Sequence, residues 1–122
     1  MSFNPCIVVP VFNHGAGACL LAERLRPLGV PAIFVNDGSR PDCSQSLRRL
    51  ALGNDWIEVI ESDRNRGKGN AVLSGFRAAH ARGFTHAVQI DADNQHDTND
   101  IPRFLSLAST SATPATARAC HW

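Results

Sequence analysis

No apolar run in this 122-residue chain is long enough to cross a membrane: the longest, Cys6 to Phe12, is interrupted by Pro10 and falls far short of the roughly 20 residues a spanning helix needs. No basic stretch followed by an apolar one opens the chain, so a secretory signal is not read and the expected compartment is the cytoplasm. Neither sign of charge dominates. Lys and Arg number 12 against 11 Asp and Glu, a formal net charge of +1, which excludes a polybasic nucleic-acid binder. An apolar share of 43% with 19% charged residues equally excludes an intrinsically disordered chain. The four cysteines form no CxxC pair and no Cys/His cluster at zinc spacing, and in a cytoplasmic chain they are expected to be reduced thiols. The length suits one domain with one core.

What is present is an alternation. Cys6 to Val11 is a short β-branched run, and Ala18 to Leu28 then shows helical spacing through Leu20, Leu21, Ala22, Leu25 and Leu28. Ala32 to Val35 is a second strand, followed by the turn signal Asn36-Asp37-Gly38-Ser39 and a helix begun near Asp42 or Ser44. Trp56 to Ile60 predicts a third strand, Ala71 to Ala79 one face of a helix begun near Gly69, and His86 to Ile90 a fourth strand. Strands separated by helices need crossover connections. The expected fold is therefore α/β and Rossmann-like, a largely parallel sheet with helices on both faces. A further helix is expected after Asp100, with Pro102 in its first turn. From Ser106 onward, Ala, Ser and Thr replace the large apolar residues of a core-facing helix, so residues 106–122 are expected to form a tail without a packed element and the sheet to stop after about four strands. Either a natural linker or a truncated or frame-shifted reading frame accounts for such a tail, and the uncovered sheet edge favours the second.

Open parallel sheets bind ligands outside the carboxyl ends of their strands. Three polar clusters fall there: Asp37 after the second strand, Asn65-Arg66-Gly67-Lys68-Gly69-Asn70 after the third, and Asp91, Asp93 and Asp97 after the fourth. Loops are polar wherever they occur, so one cluster alone would say little. In Asp91-Ala92-Asp93, both carboxylates face one side if the strand stays extended, with the small Ala92 pointing away. One or two carboxylates completed by phosphate oxygens and water are the usual setting of Mg2+ or Mn2+, which implies a nucleoside diphosphate as partner; a bare acidic pair capping a helix is the plainer reading. Gly67-Lys68-Gly69 opens a helix whose backbone N–H groups, with the lysine, suit an anion. It is not a Walker A loop, because Ser62 stands where the first glycine would be and Gly69 follows the lysine. Gly15-Ala16-Gly17 lacks the third glycine of a dinucleotide fingerprint, Leu20 standing there.

Taken in order, Val8-Val9-Pro10-Val11-Phe12-Asn13, Val35-Asn36-Asp37-Gly38-Ser39, Asn65 to Ala71 and Asp91 to Asp97 resemble the N-terminal half of a family 2 glycosyltransferase of the GT-A fold, near the dolichyl-phosphate mannose synthase type. The resemblance spans roughly residues 5 to 105, taken as a partial nucleotide-sugar-binding domain over residues 1–105. It implies transfer of a sugar from a nucleotide-diphosphate donor with inversion, assisted by Mg2+ or Mn2+. Carried over by position, Pro10 and Phe12 resemble the segment lining the base, and Asp37 the carboxylate that meets base or ribose. Asp91 and Ala92 fall at the ribose and metal region, Asp93 at the direct metal ligand, and Lys68 where the loop approaches the donor. Two positions depart from the pattern: His14 where many members carry an acidic residue, and Asn36 in place of the first Asp of a DDGS turn. The family's base Asp lies well after the DxD, and no catalytic residue is identified in this chain. The acceptor stays open among lipid phosphate, lipid and polysaccharide, with the full-length relatives expected at the cytoplasmic face of the membrane.

Two other readings compete. A haloacid dehalogenase-type phosphatase also carries a DxD, but on its first strand and with Thr or Val two residues later, where this chain has Gln95. A non-catalytic nucleotide-binding remnant is the other. His80 and His86 sit on or beside apolar elements and are read as packing or surface residues, while His96 is placed equally as a donor contact or a loop cap.

Overall fold

The computed structural model describes residues 3–92 and 118–121. Its order is β1 (Pro5–Val11), α1 (Gly15–Leu25), a 3₁₀ turn (Arg26–Leu28), β2 (Ala32–Asn36), α2 (Pro41–Leu52), β3 (Ile57–Glu61), α3 (Lys68–Ala81), β4 (His86–Gln89) and β5 (Arg118–His121). The sheet runs β3-β2-β1-β4-β5. Its first four strands are mutually parallel, with Val8 of β1 opposite Ile33 of β2 and Gln89 of β4.

Alternation along β1 divides the core. Ile7, Val9 and Val11 face Leu21, Leu25 and Leu47 of α1 and α2, while Cys6 and Val8 face Ala71 and Ala79 of α3. Helices thus cover both faces, and β2 is buried along its whole length, as a central parallel strand must be.

The boundaries moved for local reasons. Helix α1 begins at Gly15 and stops at Leu25, because Pro27 has no N–H and Gly29 closes the turn at φ 66°. Helix α2 begins earlier than expected, at Pro41, where a missing N–H costs nothing. Strand β3 lies one residue later than the apolar run suggests.

The expectation of a tail without a packed element is corrected over its last residues. Strand β5 pairs antiparallel with β4, Ala87 opposite Cys120 and Gln89 opposite Arg118, so the edge of β4 is covered by backbone pairing. The expected helix after Asp100, and residues 106–117 of the tail, lie outside the described residues.

Helix α3 packs close to the sheet through Gly75. A Cβ there would fall 2.3 Å from Val8 Cγ1 and 3.1 Å from Val35 Cγ2. Gly75→Ala is expected to lower stability by about 1–2 kcal/mol, the overpacking outweighing alanine's better helix propensity. In a urea-denaturation double-mutant cycle, Gly75→Ala and Val8→Ala together should cost at least about 1 kcal/mol less than the sum of the two alone.

Among the described residues no helix is long and apolar enough to cross a membrane. Cys6, Cys19 and Cys43 are free thiols.

Candidate functional site

The carboxyl ends of β1, β2 and β4 and the start of α3 enclose one cavity of about 320 Å3. Strand β1 contributes Pro10 and Val11 and the loop beyond it Phe12 and His14; the β2 loop contributes Asp37, the start of α3 Lys68, and the segment after β4 Asp91 and Ala92. Phe12 is 44% exposed, an aromatic ring left open to solvent at a cavity wall and suited to stacking on a planar ligand. Six of the residues singled out from the sequence thus share one cavity, and Asp93 lies outside the described residues, as do His96, Asp97 and Asp100.

Asp37 is only 2% exposed, and its carboxylate is already engaged. Oδ1 accepts the backbone N–H of Arg66 at 2.8 Å, and Oδ2 accepts the N–H of Gly67 and the amide of Asn65, both at 3.0 Å. The loop before α3 was expected to turn its N–H groups toward an anionic ligand. Of Gly67-Lys68-Gly69, the Gly67 N–H instead holds the protein's own carboxylate, together with the Arg66 N–H just before it, which fixes the loop and hence the base of Lys68. Gly38, at φ 68°, lets the β2 loop approach so closely that a Cβ there would lie 2.2 Å from Arg64 C and 2.3 Å from Asn65 N.

The β1 loop is tied to the β2 loop by residues whose roles the sequence did not indicate. Asn13 adopts φ 59°, the left-handed region that asparagine tolerates better than most side chains. Its N–H donates to Ser39 Oγ at 2.9 Å, and its Oδ1 accepts the N–H of Arg40 at 2.8 Å. These bonds set the wall carrying Phe12 and His14. Of the two departures from the family pattern, His14 lines the cavity. Asn36 is buried in an internal network: it donates to Ser44 Oγ at 2.8 Å and to Glu61 Oε1 at 3.5 Å, and accepts from the Ser39 N–H. An aspartate there would have no proton for Ser44 and would face the Glu61 carboxylate.

Asp91 faces Lys68, Nζ to Oδ2, at 2.7 Å, with the lysine side chain 59% and the aspartate side chain 22% exposed. Gln89 Nε2 donates to the other oxygen, Oδ1, at 3.0 Å. The amide's own Oε1 is buried and accepts no hydrogen bond among the described residues. The last ladder bond runs from Ile90 N to Val8 O, β4 ends at Gln89, and Ala92 sits buried in a turn, with Asp93 beyond the described residues.

Among the described residues there is no group of three His, Cys, Asp or Glu that could cage a metal. Mg2+ and Mn2+ take most of their ligands from water and phosphate, so one or two carboxylates are enough to hold them. The Asp91 carboxylate, at the cavity wall, is a hard oxygen donor of the kind they use. Burial above all pushes the Cys6 thiol up to about 12 and raises the Cys19 thiol, so neither of these two is an activated nucleophile.

Residues 6–116 match the family described as Glycosyl transferase family 2. The chain belongs to that family. It is 31% identical over 113 residues to an undecaprenyl-phosphate 4-deoxy-4-formamido-L-arabinose transferase of Pectobacterium atrosepticum, covering 87% of this chain and 34% of that protein. It is 30% identical over 110 residues to a polyprenol monophosphomannose synthase of Mycolicibacterium smegmatis, covering 87% of this chain and 41% of that one. The fold is similar to that of a mannosyltransferase from Pyrobaculum calidifontis in complex with GDP-Man and Mn2+, with a TM-score of 0.64 at 20% identity over 74% of this chain and 27% of that one. The chain thus spans less than half the length of these relatives, and its sheet is of the GT-A type. Family membership removes the support for the phosphatase reading.

Proposed function

We propose that this portion of a family 2 glycosyltransferase binds a nucleotide-diphosphate sugar at the carboxyl edge of the sheet, for inverting transfer to a lipid phosphate. The observation that carries the reading is the cavity itself, where an open aromatic (Phe12), a cation–carboxylate pair (Lys68 and Asp91) and a braced loop before a helix start meet in a chain of this family. A GDP-Man and Mn2+ complex of a protein with the same fold, and an undecaprenyl-phosphate transferase among the relatives, support the donor and acceptor classes. On this reading the donor is taken from the cytoplasm.

Pro10 and Phe12 line the base, and Phe12 stacks on it. Asp37 acts through the loop it braces, and Lys68 meets the diphosphate. Asp91, with Asp93 two residues on, would hold Mg2+ or Mn2+. When bound, the cation offsets the negative charge that develops on the departing diphosphate.

Calorimetry of the whole chain with UDP and with GDP, in Mn2+ and in chelator, tests the reading. Mn2+ is expected to tighten one of the two by at least about tenfold, and Asp93→Ala to remove most of that gain. Binding of equal strength in chelator would reject the metal site. No binding of either nucleotide would reject the donor site.

A further inference from the structure

We propose that Lys68 is a resident counter-ion of the cation seat: it holds Asp91 while the site is empty, yields it to a divalent cation, and transfers to the donor's diphosphate. The inference rests on the functional reading above and adds the order of events at that site.

Asp91 presents its two oxygens differently. Oδ1 is held by the Gln89 amide, whose orientation is set because the reversed amide would place its oxygen against the carboxylate. Oδ2 is the oxygen that Lys68 occupies, at 2.7 Å, on the cavity wall. A divalent cation seated there meets the ammonium directly, and like charges in contact repel. The two cannot share the oxygen without cost.

The lysine is built to leave. Its side chain is 59% exposed, it stands at the first residue of α3 between Gly67 and Gly69, and the Asp37 carboxylate pins the backbone just before it. Nζ can therefore swing on its four-carbon stem while the loop stays in place. Once displaced it needs an anion, and a diphosphate entering the same cavity supplies one. Cation and diphosphate should then each tighten the other, because each removes part of the cost of the other's entry, and this coupling is reciprocal.

The test is Mn2+ binding to the whole chain without nucleotide, followed by the electron paramagnetic resonance signal of the free ion. Lys68→Met is expected to bind Mn2+ alone about fivefold tighter than wild type, the upper range for the loss of an exposed competing ion pair. Lys68→Arg, which keeps the charge, should bind like wild type. In the neutral variant, the factor by which UDP or GDP tightens Mn2+ should fall at least about threefold. Lys68→Gln repeats the measurement with a second neutral side chain, and matching circular dichroism spectra establish that the fold is kept. Unchanged or weaker Mn2+ binding in both neutral variants would overturn the proposal, since a lysine that merely positions Asp91, or only binds phosphate, predicts that result. Failure of the wild type to bind nucleotide would instead strike the donor reading, and would leave the Mn2+-only comparison to decide whether Lys68 competes for Asp91.

Discussion

Replacing Gly38 with alanine is expected to destabilise the fold by about 3–5 kcal/mol. Two costs combine. An L-residue at φ 68° pays about 1–2 kcal/mol for the left-handed conformation. The added Cβ would also lie 2.2 Å from Arg64 C and 2.3 Å from Asn65 N, which are backbone atoms that cannot rotate aside, so the β3–α3 loop must back away from β2. Gly29 separates the two costs, since it has nearly the same φ, 66°, and nothing within 4 Å of an added Cβ. Gly29→Ala should cost only about 1–2 kcal/mol. Urea denaturation of both variants measures the difference. Equal losses would show that the close approach of the two loops contributes nothing.

Removing the Asp37 carboxylate is expected to cost about 3 kcal/mol and to weaken nucleoside diphosphate binding by at least about tenfold. The carboxylate gathers the N–H groups of Arg66 and Gly67 and the Asn65 amide. Alanine would leave the Arg66 and Gly67 N–H groups without their acceptor beside a residue only 2% exposed, while the Asn65 amide keeps its second bond, to the Asp37 carbonyl at 3.2 Å. Hydrogen bonds to a charged acceptor are worth about 1.5–3 kcal/mol each, but they do not add, and a released loop recovers part of the loss by hydration. Asp37→Asn should fall between, near about 2 kcal/mol, because one oxygen still accepts while the new NH2 opposes a donor. Asp42, whose side chain is 80% exposed, provides the baseline: Asp42→Ala should change stability by less than about 0.5 kcal/mol. The informative quantity is binding after correction for the folded fraction. If Asp37→Ala binds UDP or GDP as wild type once folded, the loop it braces does not shape the donor site.

Both variants act at one junction, where the turn after β2 meets the loop before α3. That junction is remote from Asp91 in sequence yet sets the position of Lys68, its ion-pair partner. Mutations there should therefore change nucleotide affinity with no change to any group that touches the nucleotide. The Asn13 bonds to Ser39 and Arg40 play the corresponding part for the wall that carries Phe12.

The order of strands and helices, the parallel sheet and the edge where the polar clusters gather were all legible from the sequence. The reason is physical: apolar periodicity records which face each element buries, and crossover connections leave little choice of topology. Asp37, Lys68 and Asp91 could accordingly be assigned to one edge from their places after strands, Pro10, Phe12 and Ala92 followed only from the family resemblance, and all six line one cavity. Other features depend on contacts between distant segments. Strand β5 adds to β4 through backbone pairing, which the sequence Arg118-Ala119-Cys120-His121 does not announce. Asp37 reads from the sequence as a ligand-facing carboxylate, and the fold, besides placing it at the cavity, brings against it the loop 29 and 30 residues away, an approach that Gly38 permits. The pairing of Lys68 with Asp91 spans 23 residues. Local sequence determines which elements form and which end of the sheet is polar. Only the packed fold decides which of those polar groups satisfy one another and which face the cavity, because burial makes each donor take whatever acceptor the neighbouring loop brings within reach.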